Sequence, residues 1–354
     1  MLRRTLSRVS WVDVFLRIFQ LVAAVVILIG LYKTFTTARY SSEQWATLAF
    51  AGLAQGSIYA LIALGYTLVY GILLMINFAH GEIYMTGAFS TVFLAMYFNR
   101  IGFLQSSPVL AIIVLILFSA AVSTSIAVLL ERIAYRPLRN APRLIPLITA
   151  IGASFALQYT FRGLFGSQFR AYPDIAVLKG TWNILGFDVP LVQPVVFLAA
   201  VLLMVALYWF VERTKTGKAM RAVSEDKAVA RLMGIDIDRI IVSTFALGGA
   251  LAGAAGVFNG LFRPQGVFFL MGFFPGIKAF TAAVLGGIGN IPGAMMGGLL
   301  LGLIEALGPN LILEGLGIPA ANQLKDAIAF LVLVLILIFR PQGIFGERLA
   351  EKKA

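Results

Sequence analysis

From about Trp45 onward, apolar segments follow one another in quick succession, separated by short polar stretches. Spans are predicted near 47–72, 82–98, 109–131, 144–163, 191–211, 241–261, 272–289, 293–308 and 324–340. The apolar run Ile18–Leu31 precedes them and brings the number to about ten. Runs such as Val109–Leu130 and Pro194–Val211 have the length a helix needs to cross the hydrocarbon core, about 20 residues. The pattern predicts an all-α fold, a polytopic transmembrane helix bundle with lipid as its solvent.

Composition sharpens that reading. Apolar residues make up 60% of the 354 positions and charged residues only 12%, with a mean hydropathy of +0.92. A soluble domain carries about 25% charged residues, and so few charges could not cover the surface of a large soluble protein. The formal net charge is +12. On a soluble chain that excess would suggest nucleic acid, but no soluble basic domain is long enough to hold one, and no nucleic-acid partner is expected. On a membrane protein, Lys and Arg instead accumulate in cytoplasmic loops. The absence of cysteine excludes disulfides and thiolate chemistry, and the single histidine, His80, rules out a multi-histidine metal site. No cofactor is implied.

The basic residues set an orientation. Arg132, Arg136, Arg139 and Arg143 lie between two predicted spans. Arg213, Lys215, Lys218, Arg221, Lys227, Arg231 and Arg239 lie between two others, and Arg340, Arg348, Lys352 and Lys353 close the chain. Alternating the spans puts all of these, and the basic N-terminus (Arg3, Arg4, Arg8, Arg17), on one side. The sparsely charged loops 99–107, 164–190, 262–271 and 309–323 fall on the other, where 164–190 is long enough to form an external ledge. An even number of spans with both termini cytoplasmic satisfies the pattern. Residues 18–31 also fit a signal peptide, with Thr36 and Ala38 before a cleavage point; the long charged region favours an uncleaved first span.

Two Gly-rich apolar stretches, Gly65–Gly87 and Lys278–Gly298, interrupt the spans, each with an Asn (Asn77, Asn290) beside Gly or Pro between two apolar halves. Such breaks free backbone groups that are tolerated at membrane depth only inside protein or against a watery cavity. Close helix packing through small residues is the simpler account, notably for Gly293, Gly297 and Gly298. Ionisable residues in apolar surroundings cost about 2.5–3.5 kcal/mol at mid-membrane, which singles out Glu82, Lys278 and Glu305, with His80 beside Glu82. They either pair structurally or line a translocation path made of Asn77, His80, Glu82, Lys278 and Asn290.

No catalytic motif is present, neither a GxSxG elbow nor HExxH. The nearest imitation of a P-loop, Thr216-Gly217-Lys218-Ala219, lacks the upstream Gly and the Ser/Thr after Lys that would cradle phosphate and Mg²⁺. The chain is therefore expected to be no enzyme and no ATPase. The segment Gly217–Arg239 predicts a basic linker, a helix start at Ser224-Glu225, one apolar face of Ala228, Val229, Leu232 and Met233, and a stop at Gly234. Taken alone, this helix either docks a cytoplasmic partner or lies on lipid.

Glu225, Ala228 and Gly234 in that segment resemble the EAA-type coupling loop of ABC importer permeases. The wider chain is similar to the LivH-type branched-chain amino-acid permeases in four blocks: Gln55–Gly71, Ile76–Glu82, Glu131–Arg139 and Lys278–Ala294. The resemblance covers about 45–345 and implies a permease domain with a coupling loop near 212–240. Residues 1–44 would then add a span that typical members lack, and 346–354 form a tail. It further implies a bacterial inner-membrane heterodimer with a LivM-type permease, two cytoplasmic ATPase subunits and an extracytoplasmic substrate-binding protein. Branched-chain or other neutral amino acids are the expected cargo. Urea or short amides, or a self-sufficient secondary transporter, are the alternatives, and a docking helix discriminates against the last.

Overall fold

A computed structural model describes residues 11–37, 40–139, 141–142, 144–263 and 265–346. Arg3, Arg4, Arg8, Arg143, Arg348, Lys352, Lys353, Ala38 and all of the predicted tail but Gly346 lie outside the described residues. Helices coincide with all ten predicted spans: α1 (Trp11–Thr37), α2 (Ser42–Leu73), α3 (His80–Arg100), α5 (Pro108–Leu130), α6 (Leu144–Phe165), α7 (Val192–Arg213), α10 (Ile237–Phe262), α11 (Phe273–Gly286), α12 (Ile291–Gly308) and α13 (Lys325–Phe339). Shorter helices connect them: α4 (Phe103–Ser106), α8 (Lys215–Glu225) and α9 (Lys227–Leu232).

Among the described residues, eight segments are long and apolar enough to span a membrane by themselves; α3 and α11 are not among them. The 14 residues of α11 reach only about 21 Å, short of a hydrocarbon core of about 30 Å. The first turn of α3 carries His80 and Glu82. These two elements are the interrupted ones, and both are held inside the bundle.

The long α2 runs through the centre, packed by α7, α10, α11 and α12. Hydrocarbon gives apolar helices no reason to associate, so close van der Waals approach must do it. Gly52 and Gly56 of α2 meet Gly302 and Gly298 of α12 in antiparallel register: a Cβ on Gly56 would lie 2.8 Å from the Gly298 carbonyl oxygen. Gly286 likewise abuts Gly293, and Gly297 meets the Ala282 carbonyl, closing α11 and α12 into a hairpin. Packing thus explains Gly293, Gly297 and Gly298. A stripe of five residues spaced four apart on α5 (Ala111, Leu115, Ser119, Ser123, Ala127) is buried. Its hydroxyls bond across helices, Ser119 to the Gly253 carbonyl at 2.7 Å and Ser123 to the Ile83 carbonyl at 2.9 Å.

The described residues of the 132–139 and 213–239 clusters share one end of the bundle, where Arg136 bonds Asp238 at 2.6 Å and Arg139 pairs with the same carboxylate. The sparsely charged loops gather at the other: the Gln105 amide donates to the Asp174 carbonyl at 2.7 Å, and Arg170 bridges to Val267. The ledge 164–190 contains a small antiparallel hairpin, β1 (Thr181–Ile184) with β2 (Phe187–Pro190). Helix α1 stands at the periphery and touches the turn after α12, where Thr34 bonds the Leu311 carbonyl at 3.0 Å and Tyr40 bonds Glu314 at 2.7 Å. Its C-terminal end therefore lies opposite the basic clusters.

Gly302→Val places a branched side chain against the Gly56 and Gly52 backbone, and is expected to destabilise the folded chain by about 1–3 kcal/mol or more. Gly152→Ala on α6, where a Cβ meets nothing within 4 Å, should instead stabilise by about 0.5–1 kcal/mol. Thermal unfolding in detergent checks both; equal melting temperatures for the two variants would refute the packing account.

Candidate functional site

The first Gly-rich stretch breaks at Leu74, which takes a left-handed conformation (φ 55°) after the last turn of α2. The chain then doubles back into the protein before α3 begins. Asn77, 1% exposed, organises the reversal. Its Oδ1 accepts from the Ala79 N–H at 3.1 Å and the Tyr135 hydroxyl at 2.6 Å, and its carbonyl accepts from the His80 N–H at 3.0 Å. The Ala79 and His80 N–H groups released by the break thereby find partners without water. The His80 ring fills the space left by Gly65 and meets the edge of Tyr66, centroids 5.0 Å apart.

Helices α3 and α11 start beside each other, Gly81 against the Gly272 backbone. Both therefore turn their positive ends toward one region. Glu82, 1% exposed, stands there. Its Oε1 accepts from Gln158 Nε2 at 2.6 Å and Ser154 Oγ at 3.2 Å, both from α6. Its Oε2 has no hydrogen-bond partner, and no ion pair reaches it among the described residues. A cavity of about 280 Å³ opens between α3, α6 and α11. Its polar lining is Glu82, Ser154, Gln158 and Tyr66, and its walls include Phe78, Ile151, Phe155, Phe273 and Ile277.

Lys278 is arranged differently. Its ammonium meets Glu305 of α12 at 2.6 Å and Asp326 of α13 at 2.5 Å, and donates to the Tyr59 hydroxyl of α2 at 3.3 Å. Lys278 and Glu305, singled out separately in the sequence as costly charges, pair with each other. Lys278, Asp326 and Tyr59 border a second cavity of about 210 Å³, with Arg263, Asn259 and Lys325 on its wall. Asn290 is separate from both cavities: it N-caps α12 through the Gly293 N–H at 2.9 Å and donates to the Phe345 carbonyl at 2.9 Å. Asn77, His80 and Glu82 thus cluster, Lys278 sits across α11 from them, and Asn290 belongs to a turn.

At the basic end, the stretch expected to be a linker is itself helical: α8 is N-capped by Thr214, whose hydroxyl accepts from the Gly217 N–H at 3.0 Å. The next helix starts at Asp226 rather than Ser224-Glu225. The Asp226 carboxylate accepts from the Ala228 and Val229 N–H groups at 2.7 and 3.0 Å, whereas Ser224 bonds back to the Arg221 carbonyl. A carboxylate beside two free amides is the stronger cap. Gly234 (φ +81°) ends α9 as expected, with Gly234 N–H to Arg231 and Ile235 N–H to Ala230 closing a Schellman motif. Only Ala230 of α9 is buried, so Val229, Leu232 and Met233 turn outward together, Leu232 86% exposed. Glu225 and Ala228 are exposed beside them.

This helix abuts a charge network. Glu131, fully buried, pairs with Arg139, which also holds Asp238 of α10. Partial burial, and beyond it the Arg139 guanidinium, hold the Lys227 ammonium below the ordinary lysine range. Glu131 and Tyr135 share one π-helical turn, and Tyr135 is the residue that grips Asn77.

Ser154, Gln158, Tyr135, Asp238 and Asp326 escaped the sequence reading. Ser154 and Gln158 left a signal, two polar residues four apart on an otherwise apolar helix face. The others become notable only through their partners.

The sequence pattern of the family described as "Branched-chain amino acid transport system / permease component" matches residues 48–337. The high-affinity branched-chain amino acid transport system permease protein BraD of Pseudomonas aeruginosa is 44% identical over 310 residues, covering 85% of this chain and 95% of the relative. LivH of Escherichia coli K12, described in the same terms, is 41% identical over 314 residues, 86% and 96% of the two chains. A probable branched-chain amino acid transport permease protein LivH of the archaeon Methanocaldococcus jannaschii is 29% identical over 299 residues, 82% and 89%.

Tyr135→Phe and Asn77→Ala should each destabilise the protein by about 1 kcal/mol or somewhat more, since each removes a buried hydrogen bond. The double variant should cost less than the sum by at least ~0.5 kcal/mol. Denaturant unfolding in detergent measures the cycle, and strict additivity would separate the two residues energetically.

Proposed function

The chain belongs to the branched-chain amino acid transport permease family, and from that premise we propose that it is the membrane-spanning subunit of a bacterial inner-membrane, ATP-driven importer of branched-chain amino acids. The observation that carries the reading is the α8–α9 pair at the basic end. A short, well-capped helix turns Val229, Leu232 and Met233 away from its own protein, flanked by Glu225, Lys227 and Arg231. An apolar strip of this kind, rimmed by charge, suits the groove of a protein partner. A secondary transporter has no use for it.

With no P-loop in the sequence, the energy has to come from outside the chain. In this proposal the assembly has two cytoplasmic ATPase subunits, one of which docks on Glu225, Ala228 and Gly234, a LivM-type permease completes the path, and an extracytoplasmic binding protein delivers the cargo. Both termini and all the basic clusters face the cytoplasm, in keeping with the bias of Lys and Arg to that side. The translocation path runs past Asn77, His80 and Glu82, with Lys278 at its outer approach; Asn290 shapes the turn beneath it. Urea or a short amide is the second reading of the cargo, but the cavity's largely aromatic and aliphatic wall favours an aliphatic side chain.

Glu225→Lys reverses a charge at the docking rim, and Gly234→Pro cannot adopt the required positive φ. Both should reduce leucine uptake to background in cells while the chain remains inserted and abundant. Normal uptake together with normal ATPase co-purification would dismiss the docking role. Cysteines introduced at Arg139 and Lys218 should be shielded from an impermeant thiol reagent in intact cells, whereas one at Asp174 should react. The native chain contributes no background, having no cysteine. External labelling at position 218 would invert the orientation and remove the basis for coupling.

A further inference from the structure

The second cavity lies at the end of the bundle away from the basic clusters, walled by the loop after α10, the first turns of α11 and the start of α13. Two charged groups on its wall each keep one atom free. Arg263 is partly buried, and its Nε and Nη2 donate at 3.4 and 3.1 Å to a neutral acceptor, Gln55 Oε1. Among the described residues no carboxylate pairs with Arg263, and its Nη1, without a partner, remains accessible. Asp326 gives Oδ1 to Lys278 at 2.5 Å, while its Oδ2 is likewise unbonded and accessible among the described residues. Resting on the importer reading above, we propose that this outer cavity is the entry subsite for the free zwitterionic amino acid. Its carboxylate is received by Arg263 Nη1 and its ammonium by Asp326 Oδ2.

The charges call for a ligand of both signs. A partly buried guanidinium facing only a neutral amide is costly, and a planar carboxylate is the anion its fork fits. Lys325, the other cation without a carboxylate on the wall, is exposed to water and needs none. Lys278 is already matched by Glu305 at 2.6 Å, so Asp326 adds a surplus negative charge. An ammonium answers it with three donors.

The framework holds the two receivers near each other. Gln55 anchors Arg263, and Tyr59 anchors Lys278, the partner of Asp326. Gln55 and Tyr59 are four residues apart on α2, about 6 Å along its axis. Phe169, Phe268, Met271 and Phe274 supply an apolar wall for a branched side chain. The volume, about 210 Å³, is below the usual range of ligand pockets, about 300–1,000 Å³, and suits a single small amino acid. The Asp326 side chain is 43% exposed, and water screens its charge. The site is therefore weak, as an entry point must be if the cargo is to move on.

The test uses the complete transporter, with its partner subunits, in detergent. Leucine supplied on the binding protein should first stimulate ATP hydrolysis. Failure there removes the importer reading, and this inference with it. Given stimulation, Leu270→Cys puts the chain's single thiol on the cavity wall, at a position 38% exposed. Its reaction with N-ethylmaleimide is followed in the absence of the binding protein. Free leucine should slow labelling at lower concentration than 4-methylpentanoate or 3-methylbutylamine, each of which keeps one charge. In the same background, Arg263→Gln should melt like the parent yet raise the protecting concentration of leucine about ten- to hundredfold. It should leave that of 3-methylbutylamine unchanged, whereas a merely structural role would move both. Arg263→Lys should recover part of the protection. The subsite is overturned, with the importer reading intact, if leucine does not protect or if 3-methylbutylamine protects as well as leucine. It is also overturned if Arg263→Gln leaves the leucine concentration unchanged; loss of binding-protein docking in that variant would then assign Arg263 to a protein contact.

Discussion

Inside a bilayer no water is available to a stray polar group, and apolar helices gain nothing by hiding from one another. Those two conditions govern this structure. Association relies on backbone approach, which is why glycines line the α2–α12 crossing and the α11–α12 hairpin. Polar closure relies on local partners, which is why each interruption has a named residue to seal it. Asn77 closes the break before α3, Asn290 the start of α12, and the Ile344 and Phe345 N–H groups cap the Leu285 and Gly286 carbonyls at the end of α11. The interruptions are therefore built, and what they build is a pair of helix starts meeting at Gly81 and Gly272.

Around that meeting point the charges are treated unequally. Lys278, Glu305 and Asp326 tie α11, α12 and α13 together with α2 through Tyr59, and breaking such a buried group would leave an uncompensated charge. Glu82 has neutral donors on one oxygen and none on the other. One arrangement pairs opposite charges within the chain, and the other leaves a carboxylate held by neutral donors alone. Helix α11 separates them, with Phe274, Pro275 and Lys278 on one cavity and Phe273, Gly276 and Ile277 on the other.

The basic end connects to the same place by direct contact. Asp238 lies just after the α8–α9 pair and holds Arg136 and Arg139; Arg139 pairs with buried Glu131; Tyr135, in the same π-helical turn, bonds Asn77; and Asn77 sets the start of the helix that carries Glu82. A displacement at the exposed helix would meet rigid or charged contacts at each stage of this route. π-helical turns recur at functional positions because the extra residue leaves backbone bonds that are easily rearranged.

The sequence by itself determined the helical class, the ten segments, the shared side of the basic clusters and the stop at Gly234. Each follows from one-dimensional physics: the length of an apolar run, the sign of a loop, the φ that only glycine takes easily. It also marked Glu82 and Lys278 as costly, because burying a charge costs free energy wherever it occurs. It could not say that one charge is matched and the other is not. That depends on Asp326 and Glu305, 48 and 27 residues beyond Lys278, and on Ser154 and Gln158, 72 and 76 beyond Glu82. The sequence also placed a helix start at Ser224-Glu225, since local propensity favoured either site and only the folded backbone offered the two amides to Asp226. Tertiary structure decided which polar groups meet, because in a medium without water that choice rests on long-range partners that no local pattern encodes.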